Sequence, residues 1–263
     1  MKRVLTALVL IPVALGAIFK GGPWVVLSVV AAFATLCFLE LASIGRGYGL
    51  GLPRSAQWLG VAAGCGFLAL PGHEGIYLAA IALAAAAWTL AAADLATGIP
   101  RAGMWLLAFL YVFGPWRCAV LLHALSPMWL LFALAINWIG DISAFYFGRA
   151  FGRHKLASRV SPGKSWEGAA ASAVTGAAFG LLLLPRMSPA PLAAAPPWIE
   201  IVLLSVAVNA LGQVGDLTES ALKRGAGMKD SGTLLPGHGG FLDRLDSTLF
   251  TVPAVYLYLL LRA

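Results

Sequence analysis

The sequence contains few charged residues. Only 11% of its 263 residues are Asp, Glu, Lys or Arg, whereas about a quarter of the residues in a soluble domain are charged. Hydrophobic residues make up 60% of the chain. This composition excludes an ordinary soluble domain and predicts an integral membrane protein.

Cysteine is also scarce, with three residues in the whole chain. Cys37, Cys65 and Cys118 lie far apart within apolar runs, without a CxxC spacing or a nearby His. We therefore interpret them as small core residues. The net charge of +7 does not indicate nucleic acid binding, because the basic residues lie in short loops that fit a cytoplasmic surface next to anionic lipid.

A membrane-spanning helix needs about 20 apolar residues, and the apolar segments predict an all-α polytopic bundle with about nine spans. The amino-terminal apolar run has no good cleavage site, which favours a retained first helix. Lys and Arg are concentrated in alternate loops, which orients the chain with its N-terminus inside and its C-terminus outside. We expect one integral membrane domain over residues 1–263, with spans at 4–19, 24–44, 57–71, 76–93, 104–121, 128–148, 166–185, 198–215 and 248–261.

Acidic residues are unevenly distributed along the chain. Residues 1–130 contain only Glu40, Glu74 and Asp94 as acids. This half is expected to be mainly scaffold. Glu40, near the cytoplasmic end of its span, is either a charge that reaches towards the membrane surface, which we favour, or a distant contributor to the site. Residues 131–263 are expected to contain the catalytic spans and the cytoplasmic loops.

The densest polar segment is residues 216–247, between two apolar spans. Asp243 and Asp246 are three residues apart, so their side chains project in the same direction, and Asp216 arrives from the preceding helix. These three carboxylates predict a cation site, and Mg²⁺ fits because it combines a few carboxylates with water and substrate phosphate. Glu219 is interpreted as a surface partner of Lys223, four residues later on the same helix.

Two further groups of polar residues precede this segment. Asp141 lies among apolar turns, and Asn137 shares its helical face, so this face either lines a site or places Asp141 near water beside Arg149. In SPGKSWEG, Pro162 and Gly163 predict a turn before a helix. Lys164 on such a turn, together with free backbone N–H groups, can bind a phosphate.

The segment also closely resembles the signature of a known family, the bacterial phosphatidate cytidylyltransferases or CDP-diacylglycerol synthases. The spacing of the signature is met throughout 220–246, and GDISAFYFGRAFG and SPGKSWEG resemble further family blocks, with Ser165 where Thr is common. The matching signature residues are Ser220, Leu222, Lys223, Arg224, Lys229, Asp230, Gly232, Leu235, Pro236, His238, Gly239, Gly240, Phe241, Asp243, Arg244, Leu245 and Asp246.

The resemblance implies a multi-pass enzyme of the bacterial inner membrane, with its active site facing the cytoplasm. It would transfer CMP from CTP to phosphatidic acid, giving CDP-diacylglycerol and pyrophosphate, with Mg²⁺ and a possible second cation, K⁺. It also implies a homodimer surrounded by membrane lipids. The expected catalytic residues are Asp216, Lys223, Arg224, Asp243 and Asp246, with Asp216, Asp243 and Asp246 binding the metal. The expected substrate-binding residues are Asp141, Ser161, Lys164, Lys229, Asp230, His238, Gly239, Gly240 and Arg244.

Two other functions are compatible with parts of the sequence. A cation-coupled transporter also places carboxylates at membrane depth, but it requires acids nearer the midplane and two matching halves. Another Mg²⁺-dependent membrane lipid phosphotransferase is closer in chemistry. The motif D-G-x2-A-R-x8-G-x3-D-x3-D of the CDP-alcohol phosphatidyltransferases is absent from the sequence.

Overall fold

The structure is a computed structural model, and it describes residues 12–70, 72–92, 94–187, 192, 194–234 and 239–262. The all-α prediction is confirmed over these residues. Residues 12–20 are helical, and short 3₁₀ turns lie at Thr89–Ala91 and Leu184–Arg186. The helices that follow are Pro23–Gly47, Arg54–Ala69, Glu74–Trp88, Leu95–Leu125, Pro127–Phe151, Trp166–Leu183, Trp198–Gly225, Leu242–Leu245 and Thr248–Arg262.

Five helical segments of the described chain are long and apolar enough to cross a membrane: Pro23–Gly47, Leu95–Leu125, Pro127–Phe151, Trp166–Arg186 and Trp198–Gly225. The spans expected at 57–71, 76–93 and 248–261 correspond to helices of 16, 15 and 15 residues. These are shorter than the roughly 20 residues of a straight span. Residues 4–11 of the first expected span, 4–19, lie outside the described residues. The count of nine and the orientation therefore stay predictions.

The chain divides into two compact units, and each combines two stretches of sequence. The first unit consists of Met1–Val120 and Leu222–Arg244, and the second of Leu121–Ala221 and Leu245–Ala263. The polar segment 216–247 thus contributes to both units.

The first unit has an aromatic core that requires small neighbours. Phe38, Phe109 and Phe113 are fully buried, and the Phe113 ring is 5.5 Å from that of Phe38 and 5.3 Å from that of Phe109. A Cβ atom on Gly64 would lie 2.2 Å from the Phe113 ring, and one on Gly60 would lie 2.5 Å from Phe38. These glycines therefore allow close helix packing.

The first unit also contains a buried arginine that is paired with a partly exposed glutamate. Arg117 is 4% exposed, and its Nη2 atom lies 2.6 Å from Oε1 of Glu74. Its Nη1 atom donates a 2.6 Å hydrogen bond to the carbonyl of Leu68. Because both donor groups are paired, the cation is tolerated within the apolar helices.

Polar side chains join the helices of the second unit. Asn137 donates a 2.8 Å hydrogen bond to Thr251 Oγ1, and Asn209 donates one of 2.9 Å to Ser172 Oγ. A Cβ atom on Gly212 would lie 2.4 Å from Asn137 Oδ1, so this glycine gives the buried amide its space. Asn137 therefore serves helix packing, which corrects its expected role in lining a site beside Asp141.

A short hairpin precedes the helix Trp166–Leu183. Its strands Lys155–Ala157 and Ser161–Ser165 are antiparallel. The predicted turn at Pro162 and Gly163 is wrong, since both residues lie in the second strand and the chain reverses at 158–160. Proline is compatible with this strand because a two-stranded sheet leaves one edge of each strand unpaired. Ser165 then caps the helix by accepting a 3.2 Å hydrogen bond from the N–H of Gly168.

Candidate active site

Four predicted site residues form a carboxylate cluster in the second unit: Asp141, Lys164, Asp216 and Asp246. Lys164 Nζ lies 2.6 Å from Asp216 Oδ2, and both side chains are about a quarter to a third exposed. Asp246 is buried, with 8% of its surface exposed, and its Oδ1 atom accepts a 2.7 Å hydrogen bond from the N–H of Ser247. Asp141 is exposed but close enough for its charge to act on Asp246.

A glycine allows Asp246 to approach the helix that contains Asp216. A Cβ atom on Gly215 would lie 2.7 Å from the carbonyl oxygen of Asp246 and 3.1 Å from the Cα atom of Ser247. The turn at 246–247 thus packs directly on the backbone of helix Trp198–Gly225. Any larger residue at 215 would separate the two carboxylates.

Negative charge predominates around Asp246 in the carboxylate cluster. Burial, followed by the negative charges of Asp216 and Asp141, raises the pKa of Asp246 well above its ordinary value. The Ser247 N–H and Lys164 oppose this rise without cancelling it. Ionised Asp246 is therefore a buried anion that a bound cation would stabilise.

The donors of this cluster fit a hard divalent cation. Within the described residues no three His, Cys, Asp or Glu side chains converge to enclose a metal on their own. Mg²⁺ does not need such an enclosure, because it takes one or two carboxylates and completes its shell with water and phosphate oxygens. The buried carboxylate of Asp246 beside Asp216 matches that requirement.

Asp243, the third predicted metal ligand, has a different environment in the first unit. Its Oδ1 atom forms a close ion pair with Lys223 Nζ, and its Oδ2 atom accepts hydrogen bonds of 2.9 and 2.8 Å from the N–H groups of Ser231 and Gly240. Although burial raises the pKa of Asp243, Lys223 and the two N–H groups outweigh burial and hold it below its ordinary value. Metal binding by Asp243 stays a prediction.

The end of the helix that contains Lys223 and Arg224 is fixed by an aromatic side chain. Tyr48 donates a 2.8 Å hydrogen bond from its hydroxyl to the carbonyl of Leu222. A Cβ atom on Gly225 would lie 2.0 Å from the same hydroxyl oxygen, so the glycine is needed for this contact. Arg224 is exposed and donates a 3.2 Å hydrogen bond to the Met228 carbonyl.

The other predicted binding residues have mixed environments. Lys229, Asp230 and Arg244 are exposed, and Ser161 is partly buried in the hairpin. Gly239 has φ of +77°, a left-handed conformation that favours glycine, and Gly240 is buried. His238 lies outside the described residues.

Two sequence interpretations are wrong about exposure. Glu219 is fully buried, so the surface position expected for it is wrong. Glu40 is 5% exposed and accepts hydrogen bonds from the segment Ser231–Leu242, so it does not reach towards solvent. The cost of burying a carboxylate was the available signal, since a buried Glu needs donors or a cation somewhere in the fold.

Comparison with known proteins extends over the whole chain. Residues 1–262 match the model of the "Cytidylyltransferase family". A protein of Pseudomonas aeruginosa called phosphatidate cytidylyltransferase is 36% identical over 96% of this chain and 94% of its own length. Proteins of the same name from Haemophilus influenzae and Bacillus subtilis are 44% and 38% identical, over 47% and 51% of the chain. In both, the matched part is less than half of the relative's length, at 43% and 48%.

Proposed function

The chain belongs to the cytidylyltransferase family, and from this premise we propose that it transfers the cytidylyl group of CTP to phosphatidic acid. The products are CDP-diacylglycerol and pyrophosphate. The observation that carries the proposal is the buried Asp246 beside Asp216 and Lys164, a set of groups suited to a cation and to phosphate oxygens.

In the proposed reaction, a phosphate oxygen of phosphatidic acid attacks the α-phosphorus of CTP. The new P–O bond forms as the bond from the α-phosphorus to the bridging oxygen breaks, and that oxygen leaves with pyrophosphate. The nucleophile is already an anion near neutral pH, so no strong general base is needed. The main requirement is to reduce repulsion between two polyanions.

Charged side chains of the protein, together with a cation that they bind, would meet that requirement. Asp216 and Asp246 would hold Mg²⁺, which when bound neutralises phosphate charge and stabilises the leaving group. Lys164 is the cation of the carboxylate cluster and is proposed to contact a substrate phosphate in exchange for part of its pairing with Asp216. The exposed Arg224 and Lys229 are proposed to bind phosphates of the nucleotide.

Three finer proposals concern the location of the active site, a second cation and the oligomeric state, and they do not rest on the carboxylate cluster. The concentration of basic residues in alternate loops supports an active site on the cytoplasmic side of the bacterial inner membrane. K⁺ as a second cation and a homodimeric state rest only on the family resemblance. Light scattering of the detergent-solubilised protein would measure the oligomeric state directly.

The test is an assay with purified protein, Mg²⁺, phosphatidic acid and CTP labelled at the α-phosphorus. We expect label in the lipid extract, lost when phosphatidic acid is omitted and reduced at least about 100-fold in Asp246→Asn. In a parallel reaction, CTP labelled at the γ-phosphorus should give labelled pyrophosphate and no labelled lipid.

The two labels separate the alternatives. Labelled lipid from the γ-phosphorus would indicate phosphoryl transfer, as in another type of lipid phosphotransferase. An absence of lipid label from either position, across several detergents and with K⁺ present, would contradict cytidylyl transfer.

A further inference from the structure

Glu40 is a buried carboxylate that the proposed chemistry does not use. It lies in the helix Pro23–Gly47 and is 5% exposed. Its Oε2 atom accepts hydrogen bonds from Ser231 Oγ at 2.7 Å and from the N–H of Leu242 at 2.9 Å, and its Oε1 atom accepts one from the N–H of Phe241 at 3.0 Å. The three donors are 191 to 202 residues away in the sequence.

The donors require a side chain with two acceptor oxygens, as in a carboxylate, rather than any polar side chain. Two of them are backbone N–H groups that point at different oxygens of Glu40. An amide side chain has only one oxygen, so its NH₂ group would face one of these donors. Glutamine has nearly the shape of glutamate but cannot satisfy this arrangement.

Two glycines of the polar segment are explained by the same carboxylate. A Cβ atom on Gly232 would lie 2.6 Å from Oε1 of Glu40, and one on Gly240 would lie 2.2 Å from Oε2. The backbone therefore passes so close to Glu40 that no side chain fits between them. Both ends of the segment, at 231–232 and at 240–242, are in contact with this residue.

The same residues also contact Asp243. The N–H of Ser231 and the N–H of Gly240 donate to its Oδ2 atom, and Lys223 pairs with its Oδ1 atom. Glu40 fixes the side chain of Ser231 and the N–H groups that directly follow Gly240. The geometry of Asp243 and Lys223 thus depends on backbone that Glu40 holds in place.

We propose that Glu40 is a positioning residue, which fixes both ends of the segment Ser231–Leu242 and thereby the Asp243–Lys223 pair. Glu40 touches neither substrate in this proposal. Its effect on turnover rests on the proposed cytidylyl transfer, but its effect on the backbone does not. The two effects are therefore measured separately.

The structural experiment is hydrogen exchange on the full-length protein in detergent. Glu40→Gln should increase exchange about tenfold or more in peptides covering 239–246, because hydrogen bonds to the carboxylate are lost there. The matched control is Glu74→Gln, which removes another hydrogen-bonded carboxylate of the first unit. It should leave exchange in 239–246 unchanged.

The kinetic experiment separates positioning from simple loss of folded enzyme. Glu40→Gln should lower kcat/KM for CTP by about 10- to 100-fold, with a higher KM for CTP and an unchanged KM for phosphatidic acid. A variant that is only less stable would lower kcat with both KM values unchanged. Ser231→Ala, which removes one of the three hydrogen bonds, should have a smaller effect in the same direction.

A second route to the same contact is Gly232→Ala, which places a methyl group against Glu40. It should reproduce the exchange and kinetic effects of Glu40→Gln, and the double variant should be no worse than Glu40→Gln alone because both act on one contact. If Glu40→Gln folds poorly, hydrogen exchange and kinetics of Gly232→Ala alone, compared with the wild type, test the positioning role of Glu40.

The proposal is overturned if exchange in 239–246 does not change in Glu40→Gln and Gly232→Ala, or if Glu74→Gln increases it equally. Fully additive effects in the double variant would also contradict it. If the wild-type protein makes no labelled lipid, cytidylyl transfer fails as the function, while hydrogen exchange still decides the role of Glu40.

Discussion

Asp246→Asn should stabilise the metal-free protein while abolishing its activity. Asp246 is buried beside Asp216, with Asp141 nearby, and among the described residues its carboxylate accepts one hydrogen bond, from the N–H of Ser247. Asparagine keeps an oxygen for that bond and removes the buried charge. Relief of the repulsion should contribute about 1–3 kcal/mol at neutral pH.

The pH dependence of this gain has a definite sign. The pKa of Asp246 is raised in the folded state, so between the ordinary Asp pKa near ~4 and the raised value the folded protein binds more protons than the unfolded one. Stability of the wild type should therefore fall as pH rises from about 4 to neutral. The Asp246→Asn variant should lack this part of the slope, and the gain should vanish at about pH 4.

The assay is thermal unfolding in detergent at pH 5 and pH 8, with EDTA and then with Mg²⁺. A gain of about 1–3 kcal/mol corresponds to roughly 2–12 °C in Tm for a chain of this size. Mg²⁺ should raise Tm of the wild type much more than that of the variant. The control is Asp94→Asn, an exposed carboxylate whose Oδ1 accepts from the Ala96 N–H. A lower Tm for Asp246→Asn at pH 8, or an equal Mg²⁺ response in both proteins, would refute the reasoning.

Three further predictions concern the first unit. Lys223→Ala should destabilise the protein by about 3–5 kcal/mol, since it leaves buried Asp243 without its cation. It should also raise KM for CTP, and unchanged kinetics would contradict the catalytic role predicted for Lys223. Arg117→Gln should lower Tm, because it removes the donors to the partly exposed Glu74 and to the carbonyl of Leu68, with both KM values unchanged in the fraction that folds. Gly64→Val should destabilise the protein by about 1–3 kcal/mol, because its side chain would overlap the buried Phe113 ring. An unchanged Tm would exclude that packing.

Local patterns predicted much of this molecule because they depend on neighbours in sequence. The apolar runs indicated the helices, and the spacing of Lys, Arg, Gly and Asp in 220–246 indicated the family. The sequence predicted three site residues separately that the structure places in one cluster, Asp216, Asp246 and Lys164. A charged residue in an apolar chain is a strong signal, since its burial is costly without a function or a partner.

Long-range pairing was not predictable in the same way. The hydrogen bonds of Glu40 join residues about 200 positions apart, and no local pattern identifies which donors meet a buried carboxylate. SPGKS has turn residues, but pairing with Lys155–Ala157 makes it a strand. Glu219 and Lys223 have the spacing of a surface pair, yet tertiary packing buries Glu219 completely.

Asp243 and Asp246 are three residues apart and have the same side chain, but the structure predicts opposite effects when each is replaced by Asn. Asp243 already accepts hydrogen bonds from two backbone N–H groups and pairs with Lys223, so Asp243→Asn should cost about 1–3 kcal/mol of stability. The pKa of Asp243 is lowered on folding, so its contribution is present at neutral pH and is lost as pH falls through the folded value.

Thermal unfolding at pH 7 in EDTA compares the two variants directly. Asp243→Asn should lower Tm and Asp246→Asn should raise it, because donors of the protein stabilise the first carboxylate, whereas burial and the charge of Asp216 destabilise the second when it is ionised. If both variants shifted Tm in the same direction, this distinction between the two carboxylates would be wrong. If only Asp243→Asn lost the response to Mg²⁺, the metal would belong with Asp243 instead.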